Sequence, residues 1–187
     1  MVPLPTLSDA LGPISAALDA VSHDERINWM RGLGRKELRA LYALAEGSAV
    51  GLNHFVEHDD STVIHWGQNS LPVFNHFQKR FRTVGGSMQG YNHNSAALTS
   101  VTGPGHFTAR AEGDEVLIDY TVLPEGTPED FPSLIDNDGG LRRFVFGGMQ
   151  DRVRRVSTHC TIGSAEKGGK DMGAWFMLIR EPRADGS

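Results

Sequence analysis

The stretch GPGHFTARAEGDEVLIDYTVLP, Gly103 to Pro124, decides how the rest of the chain is read. Gly113 and Asp114 make a Gly-X pair suited to a type II′ turn, so the runs on either side pair as an antiparallel hairpin. That turn sets the register: Ala111 opposes Val116, Ala109 opposes Ile118, and Phe107 opposes Tyr120. This face is apolar throughout and requires a core. The other face sets Arg110 against Leu117, Thr108 against Asp119, and His106 against Thr121. Opposed side chains stand ~5 Å apart and diagonal ones ~7–8 Å. Asp119 therefore adjoins Thr108 and is diagonal to His106 and Arg110. A carboxylate beside an imidazole fixes its tautomer and raises its basicity, as a general base requires. Antiparallel sheets also commonly wet one face, and a polar row is what such a face looks like. Both readings stand on the sequence alone.

A second hairpin lies at the C-terminal side, in RRVSTHCTIGSAEKGGKDMGAWFMLIRE, with its turn at Gly168-Gly169. Its register puts Val156, Thr158, Cys160, Ile162, Trp175, Met177 and Ile179 on one face. Ser157, His159, Thr161, Ala174, Phe176, Leu178 and Arg180 share the other. The second face is too apolar for open water yet carries a histidine and hydroxyls, the make-up of a pocket wall. Helices or another subunit covering Phe176 and Leu178 would meet the same requirement.

Before these hairpins the periodicity is helical. Leu11, Ile14, Leu18 and Val21 form an amphipathic stripe. Ser22 and Glu25 match a capping box at the start of a second helix that stops at Gly32. Leu38, Leu41, Tyr42 and Ala45 mark a third, closed by Gly47. Residues 1–47 are thus a helical segment, and 48–187 are mainly antiparallel β. Strands are expected at 50–58, 61–67, 87–92, 97–102, 105–111, 115–122, 141–147, 154–163 and 173–181. One short helix is expected near 71–82, with Phe74, Phe77 and Phe81 on one face. The long connection 124–140 has the length of a lid or binding loop. Helices first and strands afterwards predict an α+β fold, with the helices packed on a curved antiparallel sheet or barrel, in a single domain of 1–187.

Composition narrows the function. The chain has 187 residues, 39% hydrophobic and 22% charged, with a net charge of −5. An acidic chain lacks the cationic footprint of a generic nucleic-acid binder. No apolar run approaches the ~20 residues that span a bilayer. The N-terminus lacks the basic leader and apolar core of a secretory signal. The lone Cys160 forms no internal disulfide, so a cytoplasmic location is expected. His54 and His58 on a strand would stand ~13 Å apart, too far to share an ion. No metal ligand set is assigned, and no cofactor is identified. Cys160 lies in an apolar row and reads as an inert core thiol. Arg142, Arg143, Arg152, Arg154 and Arg155 form a basic group able to meet the acidic 125–138 loop or an anionic ligand.

The leading expectation is a small-molecule binder with a largely apolar ligand in the hollow of the sheet. His65, Tyr91, His106, Asp119 and His159 are the polar groups expected to face inward, with Thr108, Arg110, Thr121, Phe176 and Leu178 beside them. An enzyme on the same scaffold would use His106 or His159 as base, Asp119 as its orienter and Arg110 for an anionic intermediate. A third expectation is an interaction module that docks through the helix stripe or the Phe74 helix. Self-association into a homo-oligomer is compatible with each.

Overall fold

In a computed structural model the protein is described at residues 7, 10–56, 61–72, 75–94, 99, 102–140 and 142–182. Three helices come first: α1 (Leu11–Ala20), α2 (His23–Arg31) and α3 (Arg35–Leu44). The capping box is formed as its residue types dictate. Glu25 N donates to Ser22 Oγ at 3.3 Å, and Ser22 N donates to Glu25 Oε2 at 2.9 Å. Eight strands follow: β1 (Val63–Asn69), β2 (His76–Val84), β3 (Ser87–His93), β4 (His106–Glu112), β5 (Glu115–Asp119), β6 (Met149–Arg155), β7 (Cys160–Lys167) and β8 (Lys170–Arg180). Each pairs antiparallel with the next, and β1 pairs with β8 to close a barrel. The α+β fold is therefore a helical layer on a closed antiparallel barrel. Closure removes the sheet edges that would otherwise invite pairing with another chain.

The helices cover the outside of β7, β8 and β1. Ile14, Leu18, Ile27, Met30, Leu38 and Leu41 pack there against Cys160, Ile162, Trp175, Met177 and Ile179. The stripe expected as a docking surface is thus spent inside the molecule. A second core fills the barrel. Phe55, Phe81, Phe107, Tyr120 and Phe146 form an aromatic column through it, with successive ring centroids 4.9, 5.1, 5.4 and 5.4 Å apart. Full burial of each phenylalanine contributes about 2–3 kcal/mol. Phe55 plugs one end from beside a 3₁₀ turn (Leu52–His54), and Phe146 stacks on Tyr120 at the other. The barrel thus has a Phe55 end and a Phe146 end.

Several local expectations are corrected. Residues 50–58 contain the 3₁₀ turn rather than a strand, because the chain folds across the barrel end: Val50 N donates to Asp114 O and Arg155 N to Ser48 O. Positions 57–60, and His58 with them, lie outside the described residues. The helix near 71–82 is instead β2 from His76 onward, since Phe77, Lys79 and Phe81 alternate inward with a period of two. Phe74 lies outside the described residues, as do most of 97–102, where Thr99 and Thr102 are helical. Residues 141–147 hold a helical turn (Arg142–Val145), not a strand. The run 154–163 is broken between β6 and β7 by a tight connection in which Val156 N and Ser157 N both donate to Cys160 O. Among the described residues no helix is long and apolar enough to cross a membrane.

Candidate functional site

The β4–β5 hairpin holds the expected register, and in the β7–β8 hairpin a bulge between Ala165 and Glu166 shifts the pairing by two residues, which keeps the expected faces. Thr108 pairs with Asp119, Ala109 with Ile118 and Ala111 with Val116. Thr161 pairs with Leu178 and Cys160 with Ile179. Barrel closure decides which face of each turns inward. The apolar face of the β4–β5 hairpin lines the interior, and its polar face is the outer wall.

The expected site residues are therefore dispersed. Asp119 is on the outer wall, where Arg110 Nη1 and Gln150 Nε2 each donate to its Oδ2 at 2.8 Å. Thr121 donates to its Oδ1 from both N (2.9 Å) and Oγ1 (2.6 Å). Burial opposes ionisation of Asp119, but these hydrogen bonds outweigh it and hold the carboxyl below its usual range. His106 is also outside the barrel, beneath the 124–140 connection, with Nε2 3.2 Å from Ser133 O. Tyr91 lies beside it against Phe131, with ring centroids 4.8 Å apart. Thr108 shares the same outer face. His159 is in the β6–β7 connection, where its N donates to Ser157 Oγ at 3.2 Å. No hollow gathers His106, Asp119 and His159. The barrel interior is packed with apolar side chains, so the row of polar hairpin residues turns out and the apolar row turns in.

His65, Phe176 and Leu178 do face inward, and all three are buried. His65 lies against Phe55 and Phe81, with Nε2 3.2 Å from Phe55 O. Burial pushes its pKa down to about 3, so the ring is neutral.

The interior holds a polar group that the sequence reading passed over. Lys79 on β2, Asn92 on β3, Tyr120 just past β5 and Asp151 on β6 converge inside the barrel, all of them buried. Lys79 Nζ donates to Asn92 Oδ1 at 3.1 Å, to Asp151 Oδ2 at 3.1 Å, and to the Tyr120 hydroxyl. Asn92 Nδ2 donates to Tyr120 OH at 3.1 Å and to Gly105 O at 3.3 Å. Tyr120 OH lies 3.4 Å from Asp151 Oδ2. All three protons of the ammonium are thus satisfied.

Aromatic rings surround that ammonium. Phe77, Phe107, Tyr120 and Phe176 have their centroids 5.6, 5.2, 4.9 and 5.1 Å from Nζ, within cation–π range. Three of these rings lie flat on the glycine directly opposite in the neighbouring strand: Phe77 on Gly67, Phe107 on Gly90, and Phe176 on Gly163. A Cβ on any of those glycines would come within 2.2–2.5 Å of its nearest neighbour. The glycines make room for the cage.

Burial and charge act against each other here. Burial draws the Lys79 ammonium below its ordinary range, and the Asp151 carboxylate partly restores it. Burial raises Asp151, and Lys79 partly offsets that. Tyr120 is held well above its ordinary value by burial and the adjacent carboxylate, so it stays a neutral hydrogen-bonding hydroxyl. The set supplies an amine, a carboxyl and a phenol within hydrogen-bond reach of one another, the materials of proton transfer.

A cavity of about 290 Å³ lies at the rim nearby, between α2 and strands β1 to β3. Ile27, Met30, Trp66 and Phe77 supply apolar walls, and His93 and Asn94 supply polar ones. Phe77 belongs both to this wall and to the cage around Lys79.

The signal for this site was in FQKRF, where Phe77, Lys79 and Phe81 occupy alternate positions. The three-and-four spacing of Phe74, Phe77 and Phe81 favoured a helix and hid the lysine's phase. Met149, Asp151 and Val153 repeat the pattern on β6, all inward. The basic group divides: Arg142 Nε donates to Asp136 O of the 125–138 loop at 2.9 Å. Arg152 and Arg154 pair with Glu112, Glu115 and Glu166 of the barrel wall rather than with the 125–138 loop. Among the described residues no three His, Cys, Asp or Glu side chains gather as metal ligands would. Comparison with protein-family models, with curated proteins and with solved structures finds no match.

Proposed function

We propose that this protein binds a small, largely apolar molecule at the Phe146 end of the barrel. The molecule occupies the rim cavity and reaches the Lys79, Asn92, Tyr120 and Asp151 group past the Phe77 ring. One observation carries this reading: an ion pair sealed inside a mainly apolar barrel, with Phe77 common to its cage and to an open cavity. A buried ion pair is a poor stabiliser, because desolvation offsets most of its attraction. Its place beside a cavity with apolar walls supports a role in recognition. Asn92, Tyr120 and Lys79 would orient one polar group of the ligand, and the cage rings and cavity walls would hold its apolar body.

The test is native mass spectrometry of freshly purified protein, together with titration of the neutral apolar fluorophore N-phenyl-1-naphthylamine followed by its own emission. His93 is exposed at the rim, so His93→Trp fills the cavity without disturbing the core. The wild-type chain is expected to carry a bound mass or take up the fluorophore, and the variant to lose both. No bound mass, with equal fluorophore uptake by both proteins, overturns the proposal.

A second reading has its own support in the opposed shifts of adjacent Lys79 and Asp151. Both shifts run toward neutral pH, the direction in which burial tunes lysines and carboxyls that serve as acid and base in enzymes. Under that reading the bound molecule leaves chemically changed, and the mass recovered differs from the mass supplied.

A further inference from the structure

We infer that the Phe55 end of the barrel carries a binding site for a small oxyanion, a phosphate or carboxylate group, held by Arg155 and His54. A cavity of about 380 Å³ opens there, walled by Asn53, His54, Arg155, Thr158 and Arg180. It lies at the opposite end of the strands from the rim cavity and shares no residue with it.

The charge around this cavity is positive, although the chain as a whole is acidic. Arg155 is the last residue of β6 and Arg180 the last of β8. Arg155 Nε donates to Ser157 O at 3.4 Å, and Arg180 Nη1 donates to His54 O at 3.3 Å. Backbone carbonyls thus tether both guanidinium groups to the cavity wall. Arg152 and Arg154 of the same strand are paired with glutamates, whereas among the described residues no carboxylate pairs with Arg155. The Asp19 carboxylate at the cavity edge accepts from Thr158 N and Thr158 Oγ1, each at 3.0 Å.

His54 supplies the second observation. Its side chain is only 5% exposed, it lines the cavity, and its Nε2 has no hydrogen-bond partner. A buried polar atom left unpaired is destabilising, and a ligand that pairs with it relieves that cost. Burial, with His65, Arg180, Arg155 and His159 around it, holds His54 well below its ordinary pKa, so its ring is neutral with one N–H to donate. An anionic oxygen in the cavity accepts that proton donor and meets the Arg155 guanidinium at once. Two further buried atoms without partners, His65 Nδ1 and Thr161 Oγ1, sit on the residues that pair with Arg180 and Arg155. The volume exceeds that of a bare ion and leaves room for a small organic body behind the anionic group.

The experiment follows thermal unfolding of the intact protein against inorganic phosphate in one arm and acetate in another. Sodium chloride at matched ionic strength is the control, and Arg155→Gln is the variant. Arg155 is exposed, so this change spares the core. A saturable rise in Tm is expected with phosphate or acetate and not with chloride, and the responding arm names the group. The half-saturation concentration is expected to rise about tenfold or more in Arg155→Gln, the loss of one charge-assisted hydrogen bond. General stabilisation by an excluded salt does not saturate and survives in the variant. A response that does not saturate, that chloride reproduces, or whose midpoint is unchanged in Arg155→Gln overturns the inference.

Discussion

Removing Lys79 should leave Asp151 in a place where it cannot remain ionised, and the resulting loss of stability should depend on pH with a defined sign. In Lys79→Met the carboxyl loses its only salt-bridge partner among the described residues while staying buried. It then folds protonated. Drawing a proton at pH 7 onto a group whose unfolded pKa is about 3.9 costs about 4 kcal/mol, at 1.36 kcal/mol per unit. That lies within the 3–5 kcal/mol range for breaking buried pairs. The folded pKa of Asp151 is now raised above the unfolded one, so the fold binds the extra proton. The cost is absent below about pH 4 and grows as pH rises, by about 1.4 kcal/mol per unit. Asp151→Leu should behave in mirror image. Lys79 must fold neutral, its folded pKa falls below the unfolded value, and the loss of about 5 kcal/mol at pH 7 shrinks as pH rises toward 10. The double variant should lose both dependences and stand within a few kcal/mol of wild type, on either side. Urea unfolding at pH 4.5, 7 and 9, read by tryptophan fluorescence, gives all four stabilities. Lys79→Met should cost about 3 kcal/mol less at pH 4.5 than at pH 7 relative to wild type. A cost that is the same at both values, or single losses that simply add in the double variant, would refute a sealed ammonium–carboxylate pair.

Three further outcomes follow from the geometry. Gly163→Ala brings a Cβ to 2.3 Å from the Phe176 ring and should cost about 2–3 kcal/mol in urea unfolding, with part recovered when Phe176→Leu is added; no loss would show that the ring has room to move. Burial pushes the Cys160 thiol up to about 12, so at pH 8 it should resist a thiol-specific disulfide reagent until the protein is unfolded; rapid reaction of the native protein would contradict that burial. Asp119→Asn should leave ligand retention unchanged and cost about 1 kcal/mol at pH 7, kept small by solvent screening. Because the folded pKa of Asp119 is depressed, this difference should vanish as pH falls through that pKa, and loss of ligand retention would place Asp119 in the site after all.

The elements whose signals are local were legible. The Ser22–Glu25 box marked the start of α2 and is formed. The Gly113-Asp114 turn fixed every β4–β5 pair within the strands, and Gly168-Gly169 set the turn between β7 and β8. The direction each face takes was not local information. Asp119 and His106 share the face that parity assigned, but closure around eight strands sent that face outward. The same closure carried Thr161, Phe176 and Leu178 inward, where the sequence allowed either a pocket wall or a covered surface. Lys79 was missed for a different reason. Its neighbours Phe77 and Phe81 satisfy both a helical and a strand period, and only the pairing of β2 with β1 and β3 selects between them. Residues 142–145 failed similarly, since four residues, Arg142 to Val145, carry no period long enough to tell a helical turn from a strand.

The glycines of the barrel wall connect these observations. An eight-stranded barrel has an interior that side chains just fill, so an ion pair with its polar partners needs space taken from elsewhere. Gly67, Gly90 and Gly163 give up their own side-chain volume, and Phe77, Phe107 and Phe176 lie down along the wall where that volume would be. The ring faces then line the space around Nζ instead of occupying it. Phe77 differs from the other two because its ring also walls the rim cavity. Swinging it off Gly67 would join that cavity to the ammonium without moving the backbone, whereas moving Phe107 or Phe176 would open only the core. Phe77→Ala should therefore enlarge the rim cavity toward Lys79 and speed entry of the apolar fluorophore. Phe107→Ala should lower stability by about 3–5 kcal/mol and leave the entry rate as it was. Equal entry rates in the two variants would mean that Phe77 is packing alone, and the route from the rim to Lys79 would have to be abandoned.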